Sequence, residues 1–274
     1  MGWMIFGIIL GVIGIFLVYS AKASAKKALY IQAVETTTVS AIEETVAGIR
    51  ESMNGETSEY SEYVELKGTV QCEEGTQLVG QLSNREAVIC VTKVIREYEE
   101  KRVSTDNEGN RRTSWHKGRD TVSNNRNEVP FFLQDSTGRL RINHKGSELG
   151  LIKAVEKFEP AADGGGAQVS FGGLSFSVSA FGSNRRTLGY RYTEEIFPLG
   201  AKLYALGEAA DTEHGLVLRK PTGEESKPYL LSLKSEEELQ ESNQSSAKRN
   251  RAIGLVLLGL GGVLILIGIG SLVM

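Results

Sequence analysis

The sequence predicts a mostly β (α+β) soluble domain, a compact barrel or sandwich with flanking helices, held between two transmembrane helices. Three observations carry this reading. Ile253 to Met274 is an uncharged run of 22 residues whose one polar side chain is Ser271, and such a helix covers a hydrocarbon core of ~30 Å. Trp3 to Tyr19 is a second apolar run, of 17 residues. Between them, short alternating and β-branched stretches replace helical periodicity.

The organisation that follows is a membrane helix at 3–20, a helical juxtamembrane segment at 21–55 and a β domain at 56–240. A basic juxtamembrane segment at 241–252 then leads into a second membrane helix at 253–274. The 274 residues are 41% hydrophobic and 24% charged with net charge −3, a near-neutral balance that offers no global attraction to nucleic acid or anionic lipid. Roughly 200 residues outside the apolar ends suffice for one sizeable core.

The first apolar run competes with a signal-peptide reading, because Ala21-Lys22-Ala23 and Ala23-Ser24-Ala25 offer small-residue cleavage sites. No Lys or Arg precedes the run, whereas a signal peptide carries a positive n-region, so an uncleaved anchor is the reading adopted. Lys22, Lys26 and Lys27 follow this span and Lys248, Arg249 and Arg251 precede the other. The positive-inside rule then predicts residues 21–251 on the cytoplasmic side and both termini on the far side. Gly7, Gly11 and Gly14 share a face of the first span, and Gly254, Gly261 and Gly268 recur every seven residues in the second. These small-residue faces are expected to pack together or to drive homo-oligomerisation.

In 21–55, Ser40 with Glu43 resembles a capping box, Val39, Ile42, Val46 and Ile49 recur at helical spacing, and Asn54-Gly55 marks a stop. Strands are predicted at Tyr63–Val70 and along Ala87–Tyr98 (AVICVTKVIREY). Residues 103–127 are polar, with five basic side chains and Trp115, and read as a long loop or a splayed hairpin end. Val129–Asn143 reads as a hairpin turning at Asp135-Ser136-Thr137-Gly138, and Tyr190–Leu233 as a second β block with a turn at Glu213-His214-Gly215. Between the blocks lies a Gly/Phe-rich loop, 161–184, in which Leu174, Phe176 and Val178 alternate and Phe171 and Phe181 flank them. It is read either as a mobile insertion between two strands or, from the alternation, as a strand or a surface that meets something apolar. The candidate interaction residues are therefore Trp115, Arg111, Arg112, Lys117, Phe171, Leu174, Phe176 and Phe181.

Counting limits the chemistry. Two Cys and three His, scattered singly, cannot supply the eight ligands of a two-zinc module. There is no G-x-S-x-G elbow, and Gly164-Gly165-Gly166 is not followed by Lys and a helix. Asp135 reads as a turn cap, Cys72 and Cys90 as free thiols in strands, and Glu194-Glu195 and Glu236-Glu237-Glu238 as solvated charge. No catalytic residue, cofactor or metal is expected.

Leu188-Gly189-Tyr190, Thr193-Glu194-Glu195-Ile196-Phe197-Pro198-Leu199-Gly200 and Leu206-Gly207-Glu208 resemble the GIDE, or "beside a membrane", domain. Tyr229-Leu230-Leu231-Ser232 and Ser235-Glu236-Glu237-Glu238-Leu239, leading into a span, are similar to the same family, as are Val64–Val70, Trp115 and Pro130-Phe131-Phe132. The resemblance covers roughly residues 35–272. It is to the middle domain of membrane-anchored RING ubiquitin ligases of mitochondria and chloroplasts. Those ligases follow the second span with a RING, and this sequence stops at Met274. The resemblance implies a membrane-held, non-enzymatic module that binds a protein target or partner, and relatives without a RING are expected in bacteria. Three alternatives stand beside it: a substrate-binding subunit of a ligase-like system acting in trans, a lipid-organising homo-oligomer, and an undetected hydrolase using Cys90 or a carboxylate as nucleophile. The partners expected are the lipid bilayer and an unidentified protein, with no nucleic acid.

Overall fold

The computed structural model describes residues 2–52, 60–105, 109–161, 168–171, 174–177, 184–223 and 227–273. The chain opens with helix α1 (Gly2–Ala33), strand β1 (Thr36–Thr37), helix α2 (Val39–Ser52) and strands β2 (Ser61–Cys72), β3 (Leu78–Val79), β4 (Glu86–Thr105) and β5 (Arg111–Glu128). Next come β6 (Phe131–Gln134), β7 (Arg139–Ile142), β8 (Glu148–Leu149), β9 (Ile152–Pro160), β10 (Gln168–Phe171) and β11 (Leu174–Ser177). It closes with β12 (Arg185–Pro198), β13 (Lys202–Thr212), β14 (Gly215–Arg219), β15 (Leu230–Ser232) and helix α3 (Glu236–Val273). Strand exceeds helix, and the mostly β class with flanking helices is the one expected from the sequence. The chain divides into two compact units, Met1–Lys67 with Asn143–Glu148 and Leu203–Met274, and Gly68–Ile142 with Leu149–Lys202.

The first unit is built on α1 and α3, both long and apolar enough to cross a membrane. They run antiparallel at close range. A Cβ added at Gly7 or Gly261 would lie 2.8 Å from the other's carbonyl oxygen, and one at Gly14 or Gly254 would lie 2.9 Å from its partner's. Gly268 abuts Met4, and the backbone nitrogen of Gly11 would lie 3.1 Å from a Cβ on Gly261. On α1 the buried small residues continue as Ala21 and Ala28. A seven-residue repeat keeps a seam facing its partner through a left-handed coil, and small side chains let the backbones touch. The remaining surface of the pair is apolar, with Ile5, Phe16, Val256 and Leu266 more than half exposed.

Both helices run on without a break into the unit's core. Ile31 of α1 and Leu239 of α3 pack with Tyr204, Leu206 and Leu230, with Tyr30, Val34 and Tyr63 around them. Residues 21–55 are thus not one helical segment. Three consecutive threonines interrupt it: Thr36 and Thr37 pair in parallel with Glu65 and Leu66, and Thr38 Oγ1 caps α2 by accepting from Ala41 N at 3.3 Å. The expected Ser40–Glu43 box is not formed. Ser40 lies inside the first turn, and its hydroxyl donates to Glu44 at 2.9 Å. A reciprocal box occurs instead at α3, where Ser235 N donates to Glu238 at 3.0 Å and Glu238 N to Ser235 Oγ at 3.3 Å. Helix α2 buries Val39, Ile42 and Val46, and Arg50 in its last turn makes a two-pronged pair with the buried Asp211.

Glu65 is 1% exposed and fully engaged. Tyr204 Oη and Thr36 Oγ1 each donate to it at 2.6 Å, and Lys67 Nζ lies 3.1 Å away. Burial, followed by the bond to this carboxylate, pushes the Tyr204 phenol far above its ordinary value.

In the second unit, β12 is central. It pairs antiparallel with β4 from Arg185↔Glu100 to Pro198↔Ala87, and with β9 from Gly189↔Pro160 to Ile196↔Ile152. β5 and β3 add to the other edge of β4. The core lies under this sheet, with Val94, Tyr190 and Tyr192 in one cluster and Ala87, Cys90 and Ile196 in another. The β6–β7 hairpin forms as expected, with Asp135 Oδ1 accepting from Thr137 N (2.7 Å) and Gly138 N (2.9 Å).

One sequence expectation is corrected here and two open ones are decided. Of the loop and hairpin readings of 103–127 the hairpin holds and most of the stretch is strand, because β4 supplies every ladder bond and an edge strand wet on both faces needs no apolar alternation. The segment 161–184 contains the hairpin β10–β11. Glu194 is not solvated but fully buried, because alternation along β12 turns it inward and leaves Glu195 exposed. Leu82 N and Ser83 N donate to Glu194 at 2.9 and 3.0 Å, so it caps the turn before β4, where Asn84 adopts φ 54°.

Two outcomes are expected. Ser20 and Asn250 meet across the seam at 3.3 Å, so cysteines placed there in a Cys72→Ser/Cys90→Ala background should crosslink. Gly261→Leu abolishes that crosslink by forcing the backbones apart. Gly262→Ala, whose Cβ would meet nothing within 4 Å, leaves it intact, and equal crosslinking in both would refute the seam. Separately, Tyr204→Phe leaves the Glu65 carboxylate short of a donor and lowers stability by about 1–3 kcal/mol in denaturant titration. An unchanged midpoint would show that the bond contributes nothing.

Candidate interaction surface

Beyond the core of the second unit the β4–β12 ladder becomes charged. Arg185 Nε donates to Glu100 at 2.7 Å, Arg186 Nη2 to Glu99 at 2.6 Å, and Arg191 Nε to Glu97 at 3.0 Å. Each guanidinium also covers a ring: Arg185 over Tyr98 at 5.0 Å, Arg186 over Trp115 at 5.1 Å and Arg191 over Phe158 at 5.5 Å. The planar fork suits both jobs at once, carboxylate on one edge and ring on its face. The Arg185 guanidinium holds the Glu100 carboxyl below its usual value, aided by Arg102. Exposed pairs of this kind each stabilise little. Their effect is to fix the orientation of the rings.

Trp115 therefore sits 48% exposed on a braced platform near the end of the β4–β5 hairpin. Its ladder partner is Lys101, while Arg111, Arg112 and Lys117 stand opposite Thr105, Ser104 and Glu99. All three cations are exposed. From Lys101 to Arg119 the sequence holds six basic residues against Asp106 and Glu108. Trp115 and these cations are thus gathered on one hairpin end. In β10–β11, Phe171 pairs with Leu174 and Val169 with Phe176, while Phe181 lies outside the described residues. Gly7, Gly11, Gly14, Gly254, Gly261 and Gly268 belong to the α1–α3 seam of the other unit. Sequence reading missed Arg185, Arg186 and Arg191. The signal for them was the oppositely charged pair of segments Glu97–Arg102 and Arg185–Arg191, which only the ladder register joins.

Nucleophilic chemistry finds no support at Cys90. The residue is 5% exposed, and burial, followed by the nearby Glu194 charge, pushes its thiol up. A reactive cysteine needs the opposite, a depressed pKa and access. Cys72 is half-buried and both thiols are free. Among the described residues no group of three or more His, Cys, Asp or Glu is placed to hold a metal.

Residues 99–266, which take in the Trp115 hairpin end, Glu99, Glu100, Arg185, Arg186 and Arg191 of the charged ladder and most of α3, are the region matched by the profile of the GIDE family, described as E3 ubiquitin ligase. That match covers more than half of the chain. The chain belongs to the GIDE family. Its GIDE region starts inside β4 and leaves α1, α2 and β2 outside the match. The chain is also similar to the E3 ubiquitin-protein ligase SPL1 of Arabidopsis thaliana, 29% identical over 162 residues, which is 57% of this chain and 44% of that protein. It thus spans less than half the length of this plant relative. No solved structure matches.

Thiol labelling of this GIDE protein tests the burial of Cys90. In the folded protein Cys72 reacts first, and Cys90 reacts only as denaturant unfolds the domain. Fast labelling of Cys90 at neutral pH would reopen the nucleophile reading.

Proposed function

We propose that this chain is a membrane-tethered protein-interaction module, a scaffold that presents a target-binding β surface beside the bilayer and performs no transfer chemistry of its own. The observation that carries the reading is the braced, half-exposed Trp115 among the unpaired-in-register cations Arg111 and Arg112, opposite Ser104 and Thr105. Rigid aromatic anchors with arginine neighbours are what protein interfaces concentrate, and the positive end favours an acidic partner segment. Helices α1 and α3 serve as the tether. Lys22, Lys26 and Lys27 after one and Lys248, Arg249 and Arg251 before the other support a cytoplasmic β domain with both termini across the membrane.

A second reading follows from family membership: the module lends substrate binding to a ubiquitin-ligase-like system, with catalysis carried elsewhere. It differs from the first in the identity of the partner, a transfer enzyme or its target.

Crosslinked affinity purification of the tagged full-length protein from its own membrane separates these. A stoichiometric protein partner is expected, with recovery reduced about tenfold by Arg111→Glu/Arg112→Glu/Trp115→Ala, since one anchor with charge complementarity accounts for more than about 1.4 kcal/mol of binding. A transfer enzyme in the eluate selects the ligase reading. Recovery of the protein alone as a homomer, or undiminished capture by the variant, would remove the interaction role from this surface.

A further inference from the structure

The α1–α3 pair carries a feature that neither its tethering role nor the hairpin surface uses. Where the apolar stretches end, a cleft of about 630 Å³ opens along one side of the two helices. Val18 and Leu255 line the end nearest the apolar runs, Lys22, Lys248 and Arg251 come next along the two helices, and the rest, from Ala25 to Gln32 on α1 and at Gln244 and Ala247 on α3, extends toward the β strands. No carboxylate lines it. Among the described residues none of these three cations makes an ion pair, although neighbouring Lys27 pairs with Glu148.

Helix arithmetic puts the charges together. From the Gly14–Gly254 contact, Lys22 is eight residues along α1, and Lys248 and Arg251 are six and three residues back along α3. At 1.5 Å per residue these are heights of about 12, 9 and 4.5 Å on the same side of the contact. Three cations converge within about two helical turns, just outside the uncharged run that starts at Ile253. Like charges so close repel unless an anion joins them. The ordered arrangement, apolar wall toward the membrane core and cations at its edge, fits an occupant with an anionic phosphate and acyl chains.

We propose that this cleft binds one anionic phospholipid, its phosphate held by Lys22, Lys248 and Arg251 and its chains lying against Val18 and Leu255. The site rests on α1 and α3 being membrane spans and is independent of what the Trp115 surface binds. Basic recesses between helices at the membrane edge suit acidic headgroups, and each interfacial cation contributes about fivefold in affinity. The lipid would also offset repulsion across the upper seam and so hold the stems of the β domain together.

The test is native mass spectrometry of the detergent-purified full-length protein titrated with phosphatidylglycerol, phosphatidylcholine or inorganic phosphate. One phosphatidylglycerol per chain is expected to be retained in preference to phosphatidylcholine. Lys22→Gln/Lys248→Gln/Arg251→Gln should weaken it roughly a hundredfold, while the charge-matched control Arg141→Gln/Lys145→Gln/Lys202→Gln should not. Equal retention by the triple variant, equal binding of phosphatidylcholine, or displacement by inorganic phosphate at the lipid's own concentration would each overturn the lipid site. Carbonate extraction reports the spans separately: both variants stay in the membrane pellet if the cleft alone is affected, and release of the wild-type protein would overturn the membrane reading itself.

Discussion

Backbone contact between α1 and α3 is the constraint on which the first unit depends. Gly7 against Gly261 and Gly14 against Gly254 bring the helices to a distance that any larger side chain would forbid. Lipid tails are as apolar as leucine, so burial alone gives two such helices little reason to pair, and close packing must supply it. The continuation of the seam through Ala21 and Ala28 sets where the helices stand when they reach the core. Ile31 and Leu239 can then pack on the same β13 and β15 residues.

Around this frame the fold uses buried carboxylates as fixed joints. Glu65 ties Thr36 of β1 and Tyr204 of β13 to β2, and Asp211 holds the end of α2 through Arg50. Glu208 accepts from Thr222 N at 3.0 Å and from Arg219 at 2.9 Å. Burial acts to raise its pKa, but these donors outweigh it and the carboxyl ends below its usual value. Stability from such a group is fully present above its unfolded pKa and is lost as pH falls through the folded one. In the second unit Glu194 fixes a turn by accepting from Leu82 N and Ser83 N. A buried charge with every lone pair occupied specifies geometry, while one stripped of its donors is strongly destabilising.

The hairpin surface works by exposure. Its arginines are satisfied by glutamates one strand away, and Trp115 lies under Arg186 yet stays 48% exposed, so it is oriented yet open. Pre-ordering of an anchor lowers the entropy that binding must overcome. The cleft at the helix stems belongs to the other unit.

Much of the architecture was legible in the residues. Apolar length identified both long apolar helices, alternation located β2 and β4, and Asp135-Ser136-Thr137-Gly138 marked the β6–β7 turn, because these signals are local. Glu194 was misread, and 103–127 was left open between loop and hairpin, for one reason. Burial and strand pairing there come from partners more than sixty residues away or from a neighbouring edge, which composition does not encode. The charged ladder was invisible for the same cause, since Glu99 and Arg186 become neighbours only through the β4–β12 register. By itself the sequence determined two apolar helices, a β-rich middle and the seven-residue glycine spacing, since periodicity and hydropathy are properties of a single segment. Tertiary structure alone decided which glycines touch, which carboxylates are buried, and that Lys22, Lys248 and Arg251 share one cleft, since each depends on bringing distant segments into one register.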